Sequence, residues 1–126
     1  EPFFDNEKIT YVGSVNDQQK QTFLSGADVL LFPTQWSEPC AVVVSESLAC
    51  GTPVVAFSTA SNTEIITPGL TGFLCPSIGN VEEMSIATKK AFKLSRERCR
   101  EEAVHRFDVK VATDLLLKNL QSLKLI

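Results

Sequence analysis

Short apolar runs alternate along this chain with stretches of helical spacing. Ile9-Thr10-Tyr11-Val12, closed by Gly13, reads as a strand. Asp17 to Gly26 places Phe23 and Leu24 on one side and ends on glycine, which predicts a helix. Val29-Leu30-Leu31-Phe32 is apolar without alternation and stops at Pro33, so a strand covered on both faces is expected. Ala41 to Cys50 contains three valines in a row, residues of strand propensity. The spacing into Leu48 nevertheless suits a buried helix face, and Gly51 suits the position just past a helix end. Val54-Val55-Ala56-Phe57 predicts the third strand, Ser61 to Ile66 a short helix, Pro68-Gly69 a turn, and Gly72-Phe73-Leu74-Cys75 the fourth strand. A helical tail follows in three pieces. Asn80 with Glu83 fits an N-cap pair ahead of Met84, Ala87, Ala91, Phe92 and Leu94; after a break near Ser95, Cys99, Ala103 and Phe107 mark a second helix; Val111, Leu115, Leu116, Leu120 and Leu123 mark a third.

Strands alternating with helices imply an α/β domain built on a parallel sheet of about four strands, with flanking helices and the helical tail. Residues 1–126 read as one domain, without repeats, linkers or low-complexity tracts. Ligands of such sheets bind beyond the carboxyl ends of the strands. Three loops fall there: Gly13 to Val15, Thr34 to Glu38, and Ser58 to Ser61.

Composition narrows the chemistry. A 44% hydrophobic and 21% charged chain reads as soluble and globular, and a net charge of -3 argues against a nucleic-acid-binding face. No apolar run approaches the ~18 residues of a membrane span. No signal-peptide pattern opens the chain, which begins in mid-pattern at Glu1-Pro2-Phe3-Phe4, as a fragment would. Cys40, Cys50, Cys75 and Cys99 are widely spaced and mostly in apolar surroundings, so reduced thiols and a cytoplasmic setting are expected. His105 reads as a surface or partly packed residue, and Lys89, Lys90, Arg96, Arg98 and Arg100 as a solvated basic face. Trp36 suits stacking on a ligand and packing on a neighbouring domain about equally. Glycine-rich dinucleotide, P-loop, nucleophile-elbow, kinase and zinc-helix signatures are absent, and nothing supports a metal site.

The richest stretch is Trp36 to Phe57. Glu38 falls in the loop that opens a helix, and Glu46, separated from it by seven residues, falls inside that helix. The free amides of a helix N-terminus can take phosphate groups, and the two carboxylates can take sugar and ribose hydroxyls. Taken alone the pair is weak: Glu38 could simply favour a helix dipole, and Glu46 could be a solvated helix residue.

The surrounding string, Glu38-Pro39-Cys40-Ala41-Val42-Val43-Val44-Ser45-Glu46-Ser47-Leu48-Ala49-Cys50-Gly51-Thr52-Pro53, resembles the E-x7-E segment of retaining GT-B glycosyltransferases of family 4, the group that includes glycogen- and sucrose-synthase-like enzymes. Tyr11 to Val15, Gly26 to Thr34, Glu64 to Ile66 and Gly69 to Leu74 are similar to further segments of that family, so the resemblance covers nearly the whole chain. It implies a Rossmann-like, partial C-terminal domain that binds a nucleoside diphosphate sugar without a metal or other cofactor. On the matching positions, Glu38 would contact hydroxyls of the transferred sugar. The amides of Cys40, Ala41, Val42 and Val43 would meet sugar and diphosphate, Glu46 would accept from the ribose hydroxyls, and Val15 would lie near the base.

The chain also departs from the family pattern. Cys40 and Ala41 replace an aromatic and a glycine, and Ala60-Ser61 replaces a glycine pair, with Asn62-Thr63 after it. Ser61-x-x-Glu64 reads as a capping box, which assigns Glu64 a structural role. The resemblance matches only the latter part of the family's second domain. It leaves out the N-terminal acceptor domain and the upstream Arg and Lys that meet the diphosphate, so no catalytic residue is expected here and the chain should be inactive alone. The intact enzyme would move a hexose to a glycan or lipid-linked acceptor, with peripheral contact at the cytoplasmic membrane face left open. The alternative is a non-catalytic α/β binding or assembly module that has lost donor binding through Cys40, Ala41 and Ala60-Ser61. In the family two earlier strands separate Ile9–Val12 from Val29–Phe32. Without them an uncovered sheet face or edge is expected, and with it a homodimer or larger species.

Overall fold

The computed structural model describes residues 8–125. Three parallel strands, β1 (Leu30–Phe32), β2 (Val54–Phe57) and β3 (Gly72–Cys75), form one sheet in the order β1-β2-β3. Leu30 pairs with Val54 and Val54 with Gly72, so the register runs straight across. Helix α1 (Asp17–Gly26) precedes β1, α2 (Val42–Ala49) joins β1 to β2, and α3 (Asn62–Ile65) joins β2 to β3. The tail folds into α4 (Val81–Ala91), α5 (Arg96–Phe107) and α6 (Val109–Ser122), the three helices expected from its spacing.

The period-two alternation of β2 divides the core. Val54 and Ala56 face Val44 and Leu48 of α2 and Cys99 and Ala103 of α5. Val55 and Phe57 face Met84, Ala87 and Ala91 of α4. Helices α2 and α3 form the connections between the parallel strands, and α4 packs on the face opposite α2 and α5. All four residues of β2 are buried, as its unbroken apolar run predicts.

Among the described residues the sheet has three strands, where about four were expected. Residues 9–12 form no strand, and Ile9, Tyr11 and Val12 are exposed. Strand propensity is a context-dependent preference and does not by itself make a strand. The β1 strand begins at Leu30 rather than Val29, and it is not covered on both faces. Leu31 is 48% exposed because α4 packs chiefly over β2 and β3.

The caps explain the element ends. Asn16 opens α1 through a reciprocal capping box with Gln19, both bonds being 2.9 Å. Asn80 caps α4 by accepting from the Glu83 amide, as expected from the pair. Helix α2 closes in a Schellman motif: Gly51 N–H donates to Leu48 O and Thr52 N–H to Ser47 O. Gly51 needs its φ of +76°, and a Cβ there would approach the Arg96 carbonyl oxygen to 2.9 Å. The capping box expected at Ser61 and Glu64 does not form. Ser61 is itself in the helical region and makes no cap bond to α3, because its hydroxyl is engaged across the neighbouring loop.

Part of the expected basic face is tied into the fold. The Arg96 guanidinium donates to Ala27 O at 2.6 Å, Ser25 O at 2.7 Å and Thr52 Oγ1 at 2.9 Å, fastening the end of α1 to the turn after α2. Arg100 donates to Ala49 O, and Arg106 to the carbonyl oxygens of Glu64 and Ile65. Arg98 and His105 lie exposed on α5. All four cysteines are free thiols; Cys75 and Cys99 are buried, and burial pushes both thiols above their ordinary range. No helix among the described residues is long and apolar enough to cross a membrane.

Candidate functional site

The loop from Pro33 to Ala41 leaves the carboxyl end of β1 and delivers the chain to the N-terminus of α2. Glu38 sits in this loop, half-buried. Its carboxylate accepts from Trp36 Nε1 at 3.2 Å, and its own amide donates to Trp36 O at 2.9 Å. Trp36 is otherwise exposed and packs against Glu38 rather than into the core.

A second loop, leaving the carboxyl end of β2, holds the first one in place. Ser61 Oγ donates to Glu38 O at 2.8 Å and accepts from Ala41 N–H at 3.2 Å. One hydroxyl thus bridges both ends of the Glu38–Ala41 segment. Ala60 ahead of it has a positive φ of 34°, which suits the glycine that the family pattern places there. Asn62 is fully buried and donates to Phe57 O at 3.1 Å, anchoring this loop to β2.

At the start of α2, the amides expected to meet a ligand differ in availability. Ala41 N–H is taken by Ser61, and Val42 N–H donates to Cys40 O at 2.9 Å. Among the described residues, the Cys40 and Val43 N–H groups have no protein acceptor. Cys40 and Val42 are exposed, Val43 is half-buried and Ala41 is buried. Helix α2 has no side-chain cap and no acidic residue in its first turn.

Glu46 lies one turn into α2 on the side facing α1. Its Oε1 accepts from Lys20 Nζ at 2.7 Å, and Lys20 lies 3.3 Å from Asp17. The three side chains line a groove of about 480 Å³ between α1 and α2, whose walls include Leu24, Cys50 and Arg100. Hydrogen bonding to Glu46 raises the Lys20 pKa. Val15, expected near a base, is exposed just before α1 and lines a separate hollow with Val12, Gln18 and Phe23.

The structure therefore brings Glu38, Cys40, Ala41, Val42 and Val43 together at one end of α2 and sets Glu46 on its flank, with Val15 beyond α1. Two participants were not legible from sequence. Lys20 meets Glu46 from 26 residues away, and Ser61 carries a local capping signal that its long-range bonds override.

An α/β domain with its candidate ligand groups at the carboxyl ends of parallel strands defines a Rossmann-type binding domain. Residues 5–106 match the family model "Glycosyl transferases group 1", and the chain belongs to that family, as a GT-B C-terminal half. It is 34% identical over 106 residues to an uncharacterized 41.2 kDa protein in the cps region of Klebsiella pneumoniae, covering 82% of this chain and 29% of that protein. It is 29% identical over 119 residues to a phosphatidyl-myo-inositol mannosyltransferase of Mycobacterium leprae, covering 89% of this chain and 31% of the relative. Among solved structures, a sucrose-phosphate synthase from Thermosynechococcus elongatus shares the fold, with a TM-score of 0.77, 24% identity, and 93% of this chain and 31% of that one covered. Anabaena HepE, solved in complex with UDP-glucose, matches with a TM-score of 0.65 and 25% identity over 79% of this chain and 29% of that one. The chain thus spans under a third of the relatives it matches.

Proposed function

We propose that this chain is the donor-binding half of a retaining glycosyltransferase that moves a hexose from a nucleoside diphosphate sugar to a glycan or lipid-linked acceptor. The observation that carries the reading is the placement of Glu38 and Glu46 about the open N-terminus of α2, within a chain matched by the family over residues 5–106. The UDP-glucose complex of Anabaena HepE supports a nucleoside diphosphate sugar as ligand.

In this scheme the amides of Cys40 and Val43 and the dipole of α2 face the diphosphate. Glu38, steadied by Trp36 and Ser61, accepts from the transferred sugar, and Glu46 accepts from the ribose. The Ala41 amide is committed to Ser61, so it serves the loop rather than the ligand. The scheme uses no metal. Acceptor binding and turnover are assigned to the remaining two-thirds of a relative-sized protein, which leaves this chain a binding role on its own. We place the reaction in the cytoplasm, which the four free thiols support.

Saturation-transfer NMR of this chain with UDP, GDP and ADP tests the reading. One nucleotide should give a signal that Glu46→Ala abolishes. Absence of a signal with all three in the full-length protein would favour the alternative of a non-catalytic assembly module.

A further inference from the structure

The Lys20–Glu46 contact crosses from α1 to α2, and both of its helices are pinned where the contact is made. Asn16 and Gln19 fix the first turn of α1 by their reciprocal bonds, and Lys20 N–H donates to Asn16 O at 2.8 Å. The Schellman motif at Gly51 fixes the end of α2. The Lys20 ammonium reaches Glu46 Oε1 at 2.7 Å and Asp17 Oδ1 at 3.3 Å. Among the described residues, Glu46 Oε2 receives no hydrogen bond from the protein. Lys20 and Glu46 each keep a third of their side chain exposed, at the wall of the 480 Å³ groove.

We propose that Lys20 is a positioning residue for nucleotide binding: it holds one oxygen of Glu46 so that the other faces the vicinal hydroxyls of a ribose. This inference rests on the donor-binding reading above. A glutamate side chain has several rotamers of similar energy, and ordering one on binding opposes affinity. An ammonium bound to Oε1 orders the carboxylate beforehand, and a carboxylate accepts stronger, charge-assisted hydrogen bonds than a neutral group does. A partly exposed ion pair contributes little to folding stability. Its effect should therefore appear in ligand affinity and not in melting temperature.

The test titrates this chain and its variants with UDP, GDP and ADP, and with the 2′,3′-dideoxy form of whichever binds. Lys20→Met should raise the Kd about tenfold, a loss of the size expected for a charge-assisted contact. Lys20→Arg should restore affinity, since a guanidinium reaches the same oxygen. The Lys20→Met, Glu46→Gln double variant should bind no more weakly than Glu46→Gln alone, because the two act as one unit. The dideoxy nucleotide should bind all variants alike, and Tm should move by about 3 °C or less. Wild-type affinity in Lys20→Met, with Glu46→Gln weakened, overturns this inference and leaves the donor reading standing. An equal loss for ribo- and dideoxynucleotide in Lys20→Met also overturns it, because Lys20 would then act on base or phosphate directly. If Glu46→Gln binds as wild type does, or no nucleotide binds at all, the ribose assignment falls and the inference falls with it.

Discussion

Strands β1 and β2 are equally apolar and sit in opposite surroundings. Val54 to Phe57 of β2 has a strand on either side and helices on both faces, with every residue buried. Leu30 to Phe32 of β1 has a single described partner strand and leaves Leu31 half exposed. The contrast matters because the candidate site spans both. Glu38 and the start of α2 grow out of the edge strand, whereas Ser61, which ties that loop down, grows out of the central one. The loop from the edge strand is held by a residue from the central one. The groups proposed to meet a ligand are therefore on the part of the domain with fewer neighbours, positioned by the part with more.

The largest effect should come from breaking the centre. Gly72 pairs with Val54, and a Cβ at position 72 would lie 1.9 Å from the Val54 carbonyl oxygen. Gly72→Ala must push β3 away from β2, and a loss of about 3 kcal/mol or more is expected. Chemical denaturation of the variant checks this; a stability within error of wild type would show that the sheet tolerates the shift.

Releasing the edge side should cost less. Arg96→Met removes three hydrogen bonds that fasten Ser25 and Ala27, just ahead of β1, to Thr52. A loss of about 2 kcal/mol is expected, of the order of hydrogen bonds to a charged group. Hydrogen exchange should rise in α1 and β1 before it rises in β2, and a uniform rise would erase the distinction between the two regions.

Alkaline pH probes the core on both faces of β2. Burial raises the Cys75 and Cys99 thiols above the ordinary value of 9.0. For each, the unfolded thiol ionises first as pH rises, so the stability it contributes is full below about pH 9 and is lost as pH climbs through the raised folded value. Thermal melts from pH 7 to 10.5 should show that decline, and exposed Cys40 should be alkylated well before either. Equal alkylation rates for Cys40, Cys75 and Cys99 would contradict the burial described.

The smallest effect concerns the bare edge itself. Leu31, Val81 and Phe92 frame an exposed apolar hollow of about 340 Å³ beside β1, and exposed apolar edges favour self-association. Light scattering at micromolar concentration should report more than the 13.8 kDa of one chain. A monomer would show that the hollow is tolerated in water.

How much of this was legible in the sequence follows from how local each cause is. Asn16, Asn80 and Gly51 act on their own helices within a few residues, so those ends could be read directly. The run at Val54–Phe57 gave its burial away because no polar residue interrupts it. Leu30–Phe32 carries the same signal with less cover, because an apolar run reports that a segment is a strand and not how many neighbours it has. The segment at Ile9–Val12 has strand composition and forms no strand, because composition alone does not make one. Glu38 and Glu46 stood out through a spacing inside one segment. Lys20 and Ser61 act across 26 and 20 or more residues, and Ser61 also presents a plausible local alternative in Glu64.

The central claim, that Glu46 serves the part of the ligand common to all donors while Glu38 serves the transferred sugar, is tested most directly by comparing Glu46→Gln with Glu38→Gln. The ligand is the free nucleoside diphosphate, titrated into the protein by calorimetry. Glu46→Gln should weaken binding by about 1.5–3 kcal/mol, the worth of a hydrogen bond to a charged group, and Glu38→Gln should leave it almost unchanged. Equal affinities in both variants and wild type for UDP, GDP and ADP, or a larger loss in Glu38→Gln, would contradict the account.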